Sequence, residues 1–177
     1  SRAGFAEVSI LAEPVAGARL ALSQTGVRSG ELVMVYDLGG GTFDAALMRV
    51  PPDGGDVEPI ADAGDKGIGG RNFDALIYRE VVAHPDAQAL VDALSSEDRR
   101  ERLEADATLQ DFVREAKHAL SEEAVFEGLI PFTRGGYYEL VRGVFDRMAR
   151  NDIDKTIETC LTMLARVGLD WAALDRV

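Results

Sequence analysis

Three consecutive glycines separate two apolar runs in VMVYDLGGGTFDAALMRV, residues 33–50, and an aspartate stands on either side of them. Glycine loses more backbone entropy on ordering than any other residue and packs no side chain, so a triplet at the end of a strand indicates a geometric need. A tight glycine turn presents several backbone N–H groups with no Cβ atoms in the way, and phosphate oxygens fit such a turn. The sequence therefore predicts an anion site at the tip of a β-hairpin.

The polar residues around this turn have types that suit phosphate chemistry. Asp37 ends the first apolar run, where a carboxylate can hold water on Mg²⁺ or orient an attacking water. Thr42 and Asp44 are two positions apart on the returning strand, so their side chains should face the same way. The turn is not a Walker A loop, because no GK[ST] follows the glycines and no helix begins there. The alternative interpretation is a glycine-rich hairpin whose aspartates only cap its turn.

Composition and charge limit the classes of partner. The chain has 177 residues, of which 46% are hydrophobic and 28% charged, as in ordinary globular proteins of one domain or two small subdomains. Its net charge of −12 repels nucleic acid and anionic membrane surfaces, so neither is an expected partner. No apolar run approaches the ~20 residues of a spanning helix and no signal-peptide pattern begins the chain, so we expect a cytoplasmic location.

Cysteine and histidine are too few for thiol or zinc chemistry. Cys160 is the only cysteine, which excludes an internal disulfide. With only His84 and His118 besides, no zinc-ligand spacing can be written. Cys160 falls on a helical apolar stripe, where a lone cysteine usually serves as a small apolar filler.

Hydrophobic periodicity predicts an α/β core with a helix-rich insertion. Strands are predicted near residues 7–11, 31–37, 42–50, 57–63, 124–132 and 137–141. Helices are predicted from Glu13-Pro14, from near Gly70, around 109–120 and from about 142 onward. The apolar-poor stretch 84–107 is interpreted as exposed helices and loops. The stripe through residues 109–120 leaves four polar side chains on a shared helix face: Arg114, Lys117, His118 and Ser121.

Four motifs in order carry a resemblance to a known family. DLGGGTFD (37–44) resembles, letter for letter, the second phosphate loop of the heat-shock protein 70 (DnaK-type) chaperones, which belong to the actin-like ATPase superfamily. AEPVAGARLAL (12–22), GDKGIGGRNFD (64–74) and REAKHALSEE (114–123) are similar to further segments of that family in the same order. YYELVRGVFDRM is similar to its ITRxxFE segment. The resemblance thus covers nearly the whole chain.

The resemblance implies a fold and a domain division. The fold is an α/β, actin-like ATPase (ribonuclease H-like) lobe, in which helices flank a mixed β-sheet, with an inserted helix-rich α+β subdomain. Residues 1–69 and 142–177 would form the lobe core, and 70–141 the inserted outer subdomain. The chain is interpreted as the second lobe of the family's nucleotide-binding domain, without the first lobe and the peptide-binding domain.

The resemblance also assigns site residues for ATP or ADP with Mg²⁺. Asp37 would orient magnesium-bound or attacking water, and Glu13 would lie near the water shell of the metal. The nucleotide contacts would come from three groups: the phosphate loop Gly39, Gly40, Gly41, Thr42 and Asp44; the glycine pair Gly69 and Gly70; and the adenosine wall Arg114, Lys117, His118 and Ser121. The alternatives are a helix-dipole role for Glu13, an ordinary turn at the glycine pair and a merely solvated helix face.

Several positions depart from the family pattern. Arg114 stands where an acidic residue is common, His118 stands where arginine can stack on the base, and Arg71 stands where an acidic or polar residue is usual. Ala12 and Val15 replace an asparagine and a threonine of the family. These changes put nucleotide affinity and the ATPase rate of the parent in question.

Two functions follow as expectations. The first is the ATP-binding lobe of a DnaK-like chaperone, whose parent hydrolyses ATP to switch peptide affinity while the isolated lobe hydrolyses little. The second is a nucleotide-sensing or scaffolding relative that binds ATP without turnover. An actin-like filament or sugar-kinase relative is disfavoured, because the GDKGIGG and REAKHALS matches are peculiar to the chaperone branch. The resemblance further implies nucleotide-exchange factors and J-domain co-chaperones as partners. The charged stretch 97–106 is either an exchange-factor surface or a solvated helix.

Overall fold

The computed structural model describes residues 4, 16–17, 28–52 and 57–177. They divide into two compact units, one formed by the described residues up to Gly67 together with Lys155–Val177, the other by Ile68–Asp154. The second boundary therefore lies inside a helix, whereas the sequence places it at that helix's first residue, 142. The predicted strand at 7–11 and Glu13 lie outside the described residues. Of the helix predicted to begin at Glu13-Pro14, residues 16 and 17 are described, and both are helical.

The first unit is built on an antiparallel sheet. Its strands are β1 (Leu32–Leu38), β2 (Phe43–Arg49) and β3 (Glu58–Asp65), in the order β1-β2-β3. A parallel bridge between Val33 and Arg176 makes the strand pairing mixed. The central strand β2 is buried over most of its length and carries the apolar run AALM, while β1 and β3 pair with its two edges.

The second unit packs three whole helices, the first part of a fourth and a hairpin around one core. Its elements are α1 (Gly70–Val82), a 3₁₀ turn (Pro85–Ala87), α2 (Gln88–Leu94), α3 (Arg99–Glu122), β4 (Val125–Leu129), β5 (Tyr137–Val141) and the first part of α4 (Arg142–Arg166). Strands β4 and β5 pair antiparallel. The core gathers the apolar stripes of the helices with the inner face of that hairpin: Ile77, Val81, Leu90, Leu109, Val113, Ala116, Leu120, Phe126, Ile130, Tyr138 and Leu140.

The predicted elements are present wherever the structure describes them, with one error of burial. Residues 84–107 do contain helices and loops, but Leu90 and Ala105 are 0% exposed and Ala87 joins the same interior. The sequence predicts exposure for this stretch because it is mixed in charge and poor in apolar residues. Single alanines at helical spacing nevertheless fill gaps beside larger side chains. No described helix is both long and apolar enough to cross a membrane.

Candidate functional site

The glycine turn joins β1 to β2 as the sequence predicts. Leu38 and Phe43 are the last paired residues, and the turn closes with a hydrogen bond from the Gly39 N–H to the Thr42 carbonyl, 2.9 Å long. Within the described part of the chain, the backbone N–H groups of Gly40, Gly41 and Thr42 have no acceptor. Three neighbouring donors are therefore available to an outside anion, and the Gly39 donor is used inside the turn.

Packing behind the turn holds both strand ends. Phe43 is 0% exposed, and its ring lies 4.8 Å from that of Tyr36, measured between centroids. The Tyr36 hydroxyl lies 2.6 Å from the hydroxyl of the buried Thr156 on α4. Because Tyr36 precedes Asp37 and Phe43 follows Thr42, these contacts fix the chain on both sides of the turn.

Two carboxylates stand opposite each other beside the turn. Asp37 and Asp44 are register partners on β1 and β2, and both are exposed. Like charges directly opposite in a sheet repel, and a cation relieves that repulsion. Carboxylate oxygens are hard ligands of the kind that Mg²⁺ prefers, so the pair fits a magnesium ion held through water. Among the described residues, no group of three or more His, Cys, Asp or Glu could hold a metal directly.

Gly64 leaves room for one of these carboxylates. Gly64 lies on β3 and faces Asp44 of β2. A Cβ at residue 64 would lie 2.7 Å from the Phe43 carbonyl oxygen and 2.8 Å from Asp44 Oδ1. Sequence reasoning did not assign Gly64 a role. The available signal was a glycine inside a strand, which often marks a close approach of another group.

The glycine pair lies where α1 begins. The Gly69 N–H donates to Asn72 Oδ1 at 3.0 Å, and the Asn72 N–H donates to the Gly69 carbonyl at 2.9 Å. The carbonyl of Gly70 accepts from Lys117 Nζ at 3.2 Å. Gly69 thus caps α1, and Gly70 begins the helix and contacts α3.

Three of the four predicted adenosine residues line one cleft of the second unit. Lys117, His118 and Ser121 project from α3 into a cleft of about 400 Å³. The rings of Phe73 and Phe145 form apolar walls, edge to face at 6.4 Å. Its remaining lining residues are Leu120, Arg142 and Asp146.

Two contacts shape this cleft that the sequence did not predict. Lys117 Nζ pairs with Asp74 Oδ1 at 2.6 Å, so the ammonium charge is already balanced within the second unit. Arg142 donates from Nε to the Leu120 carbonyl at 2.7 Å and from Nη2 to the Glu123 carbonyl, which satisfies carbonyls at the end of α3. The Asp74 carboxylate stands in the motif RNFD, but only the fold brings it to Lys117.

Arg114 is separated from the other three residues. It lines a different cleft, of about 730 Å³, between α1 and α3, and its guanidinium pairs with Asp111. The shared polar helix face predicted from the sequence therefore serves two clefts.

Comparison with known proteins identifies the family. A model of the Hsp70 protein family matches residues 1–177. The chain is 35% identical over 169 residues to "Chaperone protein HscA homolog" of Bordetella pertussis, covering 94% of this chain and 25% of that protein. It is 28% identical over 182 residues to "Chaperone protein DnaK" of Metamycoplasma hominis, covering 99% of this chain and 29% of that protein. The chain thus spans less than a third of the length of either relative, and it belongs to the Hsp70 family, with the actin-like ATPase fold.

Proposed function

We propose that this chain is the part of a chaperone ATPase that contacts the terminal phosphates of ATP through the β1–β2 turn. The observation that carries the proposal is the set of free N–H groups at Gly40, Gly41 and Thr42, beside the exposed Thr42 hydroxyl. Phosphoryl transfer requires mainly positioning and charge stabilisation, and these donors supply both when the strands are held rigidly.

Asp37 would manage water and metal at this turn. Bound Mg²⁺ would neutralise charge that develops on the phosphate oxygens. Asp37 would hold water on that ion or orient the attacking water, and Asp44, directly opposite, would share the water shell. Glu13 is proposed to take part in the same shell, on the resemblance alone.

The cleft at Lys117, His118 and Ser121 would receive the adenosine. The Phe73 and Phe145 rings offer an apolar contact for a planar base, and the His118 imidazole offers a stacking partner. Because the Lys117 ammonium is paired with Asp74, the contribution of Lys117 to ribose or base binding is expected to be small.

The test is ATP hydrolysis by the full-length parent. Asp37→Asn and Thr42→Ala should each lower kcat, for Asp37→Asn by roughly 10²-fold or more, as when a water-orienting group is lost. Asp62→Asn is the matched control, since Asp62 is an exposed carboxylate on β3 paired opposite Ala46, away from the turn. Unchanged turnover in both site variants would remove the catalytic assignment.

A non-hydrolysing relative is the second candidate. It is favoured by the separation of Arg114 from the other three predicted adenosine residues and by its ion pair with Asp111. Calorimetry on the parent would then detect tight ATP binding with no phosphate release. Phosphate release at a steady rate would exclude this candidate.

The remaining assignments rest on family membership. We propose that the parent switches peptide affinity with ATP, works with exchange factors and J-domain co-chaperones, and acts in the cytoplasm. The outer subdomain would contact the exchange factor. The chain by itself is expected to hydrolyse little ATP, since the resemblance places further catalytic groups in the other lobe.

A further inference from the structure

The larger cleft of the second unit carries three arginines in an acidic chain. It measures about 730 Å³ and is lined by one stripe of α1 and one stripe of α3: Arg71, Asp74, Ala75, Tyr78 and Arg79, with Gln110, Val113 and Arg114. The net charge of the whole chain is −12. A local excess of guanidinium groups in a chain of this net charge indicates a surface that could bind an anionic ligand.

The charges around this cleft do not cancel internally. Arg71 forms no hydrogen bond or ion pair with the described residues, and Arg79 uses only Nε, which donates to the Ala75 carbonyl at 3.1 Å. Asp74 is the one lining carboxylate, and Lys117 neutralises it at 2.6 Å. Only Arg114 has an acidic partner, the exposed Asp111. Arg71 and Arg79 therefore leave donor groups for an outside anion.

The helix geometry separates the arginines along the groove. The contacts Asp74–Lys117 and Tyr78–Asp106 show that α1 and α3 run antiparallel. Arg114, three residues before Lys117, therefore lies beside the first turns of α1, where Arg71 is. Arg79 lies eight residues farther along α1, which is about 12 Å at the helical rise of 1.5 Å per residue.

The floor between these ends is apolar. Ala75, Val113 and the Tyr78 ring occupy the middle of the groove. Burial and the neighbouring Asp106 carboxylate raise the pKa of Tyr78, and the Tyr78 hydroxyl donates to Asp106 at 3.2 Å, so this phenol stays neutral. A ligand that fits has negative groups at both ends and apolar atoms between them.

We propose that the α1–α3 groove binds a short acidic peptide segment of a partner protein, with carboxylates at the Arg71/Arg114 end and at Arg79. A single phosphate is too small to reach both ends. An extended chain rises about 3.3 Å per residue and covers the groove in about four residues. Guanidinium forks match carboxylates in bidentate geometry, and apolar side chains in the middle of the segment cover the floor. This inference is independent of nucleotide binding at the β1–β2 turn.

The test is fluorescence anisotropy with a labelled Glu-Glu-Leu-Leu-Glu-Glu peptide and the 177-residue protein. Arg71→Gln and Arg79→Gln should each weaken binding about fivefold, and Arg71→Gln/Arg114→Gln at least tenfold. Arg100→Gln is the matched control, since Arg100 is exposed on the same helix as Arg114 and does not line the cleft. Circular dichroism melts on each variant establish that it is folded.

Each arm of this experiment has an outcome that overturns the proposal. Equal binding by the wild type and the Arg71/Arg114 double variant would place the peptide elsewhere. Equal binding of a Lys-Lys-Leu-Leu-Lys-Lys peptide would remove charge recognition. Displacement of the acidic peptide by ATP or pyrophosphate, abolished by the same substitutions, would make the groove a phosphate site instead. ATP binding that is intact while the acidic peptide fails to bind would end this inference and leave the proposed function standing.

Discussion

At the tip of the β1–β2 hairpin, a methyl group on residue 40 would meet no heavy atom of the described protein within 4 Å. Internal packing therefore does not require glycine there. We predict that Gly40→Ala folds normally, with a free energy of unfolding unchanged or raised by about 0.4–1 kcal/mol, because the unfolded chain loses freedom. The same methyl group should obstruct a phosphate at the neighbouring N–H groups and weaken ATP binding at least tenfold. Urea denaturation and calorimetry measure the two effects separately.

Gly64→Ala is the contrasting substitution. Its new Cβ would lie 2.7 Å from the Phe43 carbonyl oxygen, which belongs to the backbone and cannot swing aside. We expect a loss of roughly 1–3 kcal/mol of stability from this overlap. For the first substitution, equal ATP binding by Gly40→Ala and the wild type would show that no phosphate approaches the backbone of the β1–β2 turn.

The sequence predicts which residue types form the site, but not which partners their polar groups have in the fold. The motif DLGGGTFD identifies the turn, since each of its residues is local to one hairpin. The Asp74 partner of Lys117 and the placement of Arg114 in a second cleft depend on how α1 and α3 pack. A helical stripe specifies a face, whereas the register between two helices decides which cleft each residue enters.

Among the elements, hairpin β4–β5 carries a buried phenol with a measurable signature. Tyr138 is 4% exposed, and its hydroxyl has no hydrogen-bond partner among the described residues. Burial, with a smaller contribution from the Glu80 carboxylate, raises its pKa to about 12. The folded state therefore keeps this proton at pH values where the unfolded chain, with a tyrosine pKa of about 10, has lost it. The stability contributed by the neutral phenol is complete below pH ~10 and is lost as the pH rises through about 12.

Tyr138→Phe removes this dependence. Between pH 9 and 11, the unfolding free energy of the wild type should fall by about 1.4 kcal/mol more than that of the variant. This difference arises because pH 11 is about one unit above the tyrosine pKa of the unfolded chain. At pH 8 the variant should be at least as stable, because it no longer buries an unpaired hydroxyl. Urea unfolding across this pH range measures both. Parallel pH curves for the wild type and Tyr138→Phe would contradict the assignment.

Element types were predictable because their patterns are local. Alternating and continuous apolar runs predicted the strands, and Phe73, Ile77 and Val81 predicted α1. The burial around Ala87, Leu90 and Ala105 was not predictable, because it depends on distant partners in the core. The predicted division at residue 142 stays a prediction; the structure shows that α4 begins at that residue and continues without a break to Arg166.

At the scale of the whole molecule, the reactivity of the single cysteine, Cys160, can report both the opening of the first unit and the binding of a ligand. Cys160 is 0% exposed, and burial raises the pKa of its thiol, so thiol reagents should reach it only when the first unit opens. That unit also carries the β1–β2 turn. A ligand bound only by the closed form lowers the open population by the factor 1 + [L]/Kd, which is about 100-fold at 100 times Kd.

We therefore predict that Mg-ATP slows the modification of Cys160 by a thiol reagent in proportion to occupancy of the turn. Gly40→Ala should need at least ten times more ATP than the wild type for the same slowing, and its modification rate in the absence of ATP should equal or lie below that of the wild type. The Arg79→Gln variant should retain the response if the groove between α1 and α3 serves a peptide, because Arg79 lines that groove and is not among the predicted nucleotide contacts. A modification rate that is the same with and without about 5 mM Mg-ATP would contradict phosphate binding at the turn, whatever the parent hydrolyses.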